Sequence, residues 1–185
     1  MQTAELLKPD LLRDRKIALA GGVCAAVVDA LSGLGARLVA LDGGIEELDA
    51  EAWAAEHAPV HALVYDAAER FAGGGADGLR DAVDAAWSAI HAAATAAFIP
   101  AGRGAAIVLL APRESAGAHA TAVRAALENM ARTLSIEWAR FSITTTAITP
   151  GASTTDADIA TLVAFLVSPG GAYFSGCRFE LGAIA

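Results

Sequence analysis

One stretch, residues 117–151, restricts the fold more than any other: GAHATAVRAALENMARTLSIEWARFSITTTAITPG. Within it Leu127, Met130, Leu134 and Trp138 recur at steps of three and four, which lays one apolar stripe along a helix spanning 119–141. Such a stripe has to be covered. Ala122, Ala125 and Ala126 leave room for a second helix to approach closely. The Thr and Ile residues of 141–148 then suit a buried strand, and Pro150-Gly151 ends it. The unit is therefore helix, strand, Pro-Gly turn.

Earlier in the chain the same alternation repeats. Residues 16–20 read as a short apolar strand, followed by Gly21-Gly22, a helix over 23–34 and a strand over 37–41 that ends at Asp42. Strand, glycines, helix, strand is a βαβ unit. An amphipathic segment at 49–57 leads into a strand at 61–65. After Gly73-Gly74-Gly75 comes a long Ala-rich helix, 77–99, with Val83, Trp87, Ile90, Ala94 and Phe98 near one face. Residues 105–110 (AAIVLL) read as a fully buried strand. The expected architecture is α/β, a Rossmann-like doubly wound, mainly parallel sheet, with 1–185 as a single domain.

The helix, strand and Pro-Gly unit resembles the C-terminal half of the short-chain dehydrogenase/reductases, where the helix carries Tyr-x-x-x-Lys followed by Ala-Ala-Leu and the strand ends in Ala-x-x-Pro-Gly. The resemblance continues through Asp158-Ile159-Ala160, similar to the family's Asp-Ile-Ala helix, and through 175–182 (SGCRFELG), similar to its closing Thr-Gly-Gln strand. It implies a sheet reduced in two places. The segment 43–59 is too short for the helix, strand and helix the family fits there, so one helix and an edge strand are lost. Only 152–157 separates Gly151 from the Asp-Ile-Ala helix, so the substrate lid is lost as well, leaving a spacer that can turn and cap through Thr155 or Asp156.

Laid on the family pattern, Arg124-Ala125-Ala126-Leu127 puts Arg124 at the lysine and Ala120 at the tyrosine. Ala111-Pro112 stands where the family's catalytic serine would be, and Trp87 where its structural asparagine would be. Alanine side chains donate no hydrogen bond. Realignment does not help, because the two tyrosines, Tyr65 and Tyr173, are followed four residues later by Glu69 and Cys177, and the two lysines, Lys8 and Lys16, precede the first strand or open it. No catalytic set is expected. Ser115, His119 and Arg124 lie close in sequence and form the one alternative, an improvised site. Tyr65-Asp66 replaces the family's paired asparagines.

The family's nucleotide turn uses three spaced glycines so that backbone amides can wrap a pyrophosphate at a helix N-terminus. Here Gly21-Gly22 is the only remnant, open to reading as a nucleotide cradle or as a tight turn, with Val23, Cys24 and Ala25 where further glycines would be needed. We read a tight turn, and expect no nicotinamide cofactor. Asp42, at the position of the family's ribose-holding acid, then has only a turn to cap.

Composition excludes other classes. A net charge of -8 with 13 Lys plus Arg argues against nucleic acid or an anionic membrane as partner. The hydrophobic content of 55% is inflated by Ala, about a quarter of the chain. No uninterrupted apolar run approaches a membrane span, and MQTAELLKPD is unlike a signal peptide, so a cytoplasmic location is expected. Cys24 and Cys177 are isolated, which fits reduced thiols and no metal site.

What persists is the pair of long helices that this family uses for subunit association, together with the C-terminal helix and strand. The resemblance therefore implies an inactive homologue that serves as partner subunit to an active reductase, or self-associates, through Val83, Trp87, Ile90, Phe98, Leu127, Met130, Leu134 and Trp138. The alternative is an atypical enzyme or small-molecule-binding homo-oligomer with a pocket near Ser115, His119 and Arg124.

Overall fold

The computed structural model describes residues 7–72 and 74–182. Residues 1–6, from the segment read as unlike a signal peptide, Gly73 of the glycine turn, and residues 183–185 lie outside the described residues. In chain order the elements are β1 (Lys16–Gly21), α1 (Ala25–Gly33), β2 (Arg37–Ala40), α2 (Glu47–His57), β3 (Ala62–Asp66), α3 (Gly75–Ala101), β4 (Ala105–Leu110), α4 (Ala120–Glu137), β5 (Ile143–Pro150), α5 (Asp156–Leu166) and β6 (Cys177–Leu181).

All six strands run parallel in one sheet, ordered β2-β1-β3-β4-β5-β6. Parallel strands need crossover connections, and their helices cover both faces of the sheet. Side chains on each strand therefore alternate between two cores. Ala18, Ala20, Leu63, Tyr65, Ile107 and Leu109 face the layer built from α2, α3 and α4. Ile17, Ala62, Val64, Val108 and Ile148 face the layer of α1 and α5, which Leu12 also joins. The sheet is wholly parallel rather than mainly so.

The shortening read from the sequence is visible in this topology. Among the described residues β2 has a neighbour on one side only, and a single helix, α2, connects it to β3. On that edge the indole Nε1 of Trp53, on α2, donates to the carbonyl of Ala40 at 2.8 Å. The lid region is equally brief, since α5 starts six residues after the end of β5.

Two helices differ in detail from expectation. α3 runs on to Ala101 through a π-helical segment, Ala93–Phe98, and ends at Gly102 in the left-handed region. By length and composition α3 alone among the described helices could cross a membrane, but more than half of its apolar window is buried against the rest of the chain. α4 ends at Glu137, with Trp138 as its cap and one 3-10 turn, Ala139–Phe141, before β5. His119 precedes α4 with φ of 71°, outside the helix.

The apolar stripes also need correcting. Ile90, Phe98, Leu127, Leu134 and Trp138 are buried within the chain's own core, and Met130 packs partly against it. These side chains cover the sheet, because a helix over a parallel sheet spends its widest apolar face there. Of the eight expected contact residues Trp87 is the exposed one, at 46%, and Val83 is half-buried. Ile136, at 79%, and Leu48, at 81%, are exposed apolar residues that the stripe did not include.

Candidate functional site

In open parallel sheets, ligands bind beyond the carboxyl ends of the strands. Here that edge collects Gly21-Gly22 after β1, Asp42 after β2, Asp66 at the end of β3, Ala111-Pro112-Arg113 after β4 and Pro150-Gly151 at the end of β5.

The glycine turn is held tightly by the protein itself. A Cβ on Gly21, where φ is +74°, would lie 2.0 Å from the Asp66 carbonyl oxygen, and one on Gly22 would lie 2.6 Å from Cβ of Glu69. So the glycines are required by the close approach of β1 to the segment that follows β3. Glu69 also brings an acid to the ground where a pyrophosphate would need amide donors. Val23, standing where a further glycine would be needed, packs toward the core of α1 and α5. A polar cleft of about 530 Å³ remains beside it, lined by Gly21, Leu41, Asp42, Gly43, Glu69 and Arg70. Asp42 behaves as a turn residue: its Oδ1 accepts from the Gly44 amide at 2.9 Å and pairs with Arg70 at 3.4 Å.

Tyr65 and Asp66 occupy the end of the central strand very differently. The Tyr65 phenol is fully buried and donates to the Ala82 carbonyl on α3 at 3.0 Å; burial pushes its pKa well above the ordinary range. It is a core side chain. Asp66 is 9% exposed and its Oδ1 accepts from the Ala68 amide at 2.9 Å. Burial raises its carboxyl to about 6, against the pull of that hydrogen bond and with a further push from Asp156 and Glu69.

On the other side of the cleft two arginines are spent on main-chain carbonyls. Arg124, projecting from α4, donates through Nη1 to the carbonyls of Pro112 at 3.1 Å and Pro150 at 2.8 Å, tying together the ends of β4 and β5. Arg113 donates through Nη1 to Gly151 O at 3.1 Å and Thr154 O at 2.7 Å, and through Nη2 to Asp156 Oδ1 at 3.1 Å. It staples down the short loop between β5 and α5. Thr155 caps α5 in a capping box with Asp158, whose carboxyl is held below its usual range by the hydroxyl and amide of Thr155. Neither Ala111 nor Ala120 is accessible, and Ala120 packs into the core.

The residues of the improvised site are not assembled. Ser115 and His119 are exposed, no hydrogen bond joins them to Arg124 among the described residues, and the Arg124 guanidinium is engaged elsewhere. Trp87 is remote in role as well: its ring lies 5.4 Å from that of His91 on the outer side of α3, beside a groove toward Ile45 and Ala50. Arg113, Glu69 and Arg70 were missed by sequence reasoning. Arg113 alone had a signal, a cation directly after a strand end and facing a loop with Asp156. Among the described residues no group of His, Cys, Asp and Glu could hold a metal ion, and Cys24 and Cys177 are free thiols.

A citronellol catabolism dehydrogenase from Pseudomonas aeruginosa superimposes with a TM-score of 0.76 over 96% of this chain and 98% of its own, at 20% identity. The chain has the fold of the short-chain dehydrogenase/reductases. A short-chain dehydrogenase from Mycobacterium smegmatis agrees, with a TM-score of 0.74 over 95% of each chain at 15% identity. So does a hydroxysteroid dehydrogenase from Escherichia coli, at 0.70 over 95% of this chain and 99% of its own with 18% identity. No family model and no curated sequence matches the chain. At such identities the likeness concerns the short-chain dehydrogenase fold and not its chemistry.

Proposed function

We propose that this protein is a non-catalytic member of the short-chain dehydrogenase fold that acts as partner subunit to an active reductase. One observation carries the reading: the two arginines at the carboxyl edge are bonded to strand-end and loop carbonyls, so the cations there serve the chain itself and not a substrate. Hydride transfer in this fold needs an acid/base, a group that polarises a carbonyl and a cradle for the dinucleotide. Ala120 and Ala111 supply neither of the first two. Glu69 beside Gly22 opposes the third, since a carboxylate repels the phosphates it would have to neighbour. Association is favoured by apolar side chains left on the outer faces of α3, α4 and α2, namely Trp87, Ile136 and Leu48.

Calorimetry with NAD and NADP tests the first half; no saturable heat is expected, and a clear titration would refute it. Co-expression with an active reductase from the same organism, followed by light scattering, tests the second. A stable hetero-oligomer is expected that dissociates when Trp87 and Ile136 are replaced by Asp. A chain that stays monomeric beside each such reductase overturns the partner role.

A further inference from the structure

Opposite the carboxyl edge, under the amino ends of β4 and β5, lies a second groove of about 510 Å³ between the ends of α4 and α5. Its lining includes Arg15, Arg103, Ser135, Ser142, Ser168 and Ser175. No carboxylate and no aromatic ring contributes to it. The chain carries a net charge of -8, and elsewhere cations such as Arg13, Arg80 and Arg132 sit beside acids.

The two guanidiniums are not used up. Arg15 is half-buried, donates through Nη1 to the Val167 carbonyl at 3.1 Å, and has no acidic partner among the described residues. Arg103 is exposed and likewise without an ion pair there. Both line the same groove, and both push the pKa of His61 down, after burial, which is the larger cause. A carboxylate, Asp14, lines a different groove with Lys16, Arg37 and His61.

The hydroxyls are positioned by the fold. Ser168 Oγ donates to Phe165 O at 2.6 Å while accepting from the Gly170 amide at 3.2 Å, Ser135 Oγ donates to Arg132 O at 2.7 Å, and Ser175 Oγ accepts from the Thr145 amide at 3.3 Å. Among the described residues neither the Ser175 nor the Ser142 hydroxyl donates a hydrogen bond, so both protons are left for a ligand. The floor is a close backbone contact: a Cβ on Gly104, where φ is +75°, would lie 2.8 Å from Ser142 O, so only glycine leaves this approach open.

From this juxtaposition we propose that the groove binds a phosphate monoester of a small, hydroxylated molecule. Two unpaired guanidiniums match a dianionic phosphate, which they can grip with charge-assisted hydrogen bonds. Serine hydroxyls match the alcohols of the remainder, and the volume lies in the range of small-ligand sites. Without an aromatic side chain the groove offers nothing on which to stack a base, and Ile143 is its only large apolar residue, so a nucleotide or an acyl chain fits it less well.

Calorimetric titration of the full chain with glycerol phosphate, inorganic phosphate and glycerol, at fixed ionic strength, decides the matter. Saturable binding of glycerol phosphate is expected, tighter than that of inorganic phosphate, with none for glycerol. Arg103→Gln, an exposed substitution that leaves the core intact, should weaken it by about tenfold or more. Ser142→Ala should narrow the gap between the ester and inorganic phosphate. Absence of saturable binding, equal affinity for the ester and inorganic phosphate, or an affinity unchanged in Arg103→Gln would each overturn the proposal.

Discussion

Asp66→Asn isolates the electrostatic cost of the cleft. The wild-type carboxyl titrates near 6 when folded and, like any exposed Asp, near 3.9 when unfolded. The native state therefore holds the proton more tightly, so stability is greatest below about pH 4 and declines as pH rises toward 6. Complete ionisation of this one group costs about 3 kcal/mol, of which about 2 kcal/mol is incurred between pH 4 and pH 7.5. Asparagine keeps an oxygen to accept from the Ala68 amide and removes the charge. Thermal and urea denaturation of both proteins across that range should show nearly equal stability at the acid end and a variant ahead by about 2 kcal/mol at pH 7.5, roughly 4–8 °C in Tm. Other carboxylates titrate in the same window, but they are common to both proteins and cancel in the difference. Two parallel stability curves would refute the reasoning, as would a variant less stable at neutral pH.

Arg124→Met removes both donors that join Pro112 and Pro150 and should cost about 1–3 kcal/mol in urea unfolding, a structural loss rather than a catalytic one. Thr145→Val should be neutral or stabilising by about 1 kcal/mol, because the Thr145 hydroxyl is buried with no hydrogen-bond partner among the described residues; a marked loss of stability would reveal a partner for it. Leu134→Asp places a charge in the chain's own core and should cost several kcal/mol and yield unfolded protein by circular dichroism, whereas Ile136→Asp, two residues away and outward, should leave the Tm nearly unchanged.

Much of the fold was legible because it rests on periodicity. Alternating apolar strands and helices of the right length leave few arrangements besides a covered parallel sheet, and the short 43–59 and 152–157 segments announced the single helix before β3 and the brief connection from β5 to α5. The face of each stripe was harder. Leu127, Leu134 and Trp138 have the same spacing whether they meet a sheet or a second subunit, so sequence alone could not separate those two surfaces, and the chain's own sheet took them. The cleft was legible by subtraction, through Ala111 and Ala120. What fills it was not, since Arg113, Arg124 and Glu69 act through main-chain contacts between segments distant in sequence.

A sheet edged by a strand of only four residues faces a hazard of self-templating, because unpaired amides and carbonyls along an edge invite strands from other molecules. The Trp53 indole bears on that hazard directly. By donating to Ala40 O it withdraws one of the few acceptors that a four-residue edge strand can offer, and Arg37 at the strand's start adds a charge that an incoming strand would have to bury or bypass. The opposite edge is guarded in kind by Arg178 and Glu180 on β6, which pair with each other at 2.9 Å while Arg178 also reaches Glu128 on α4. Substituting Trp53 should thus loosen the seal on the β2 edge, and the expected first sign is aggregation on storage well below the unfolding temperature.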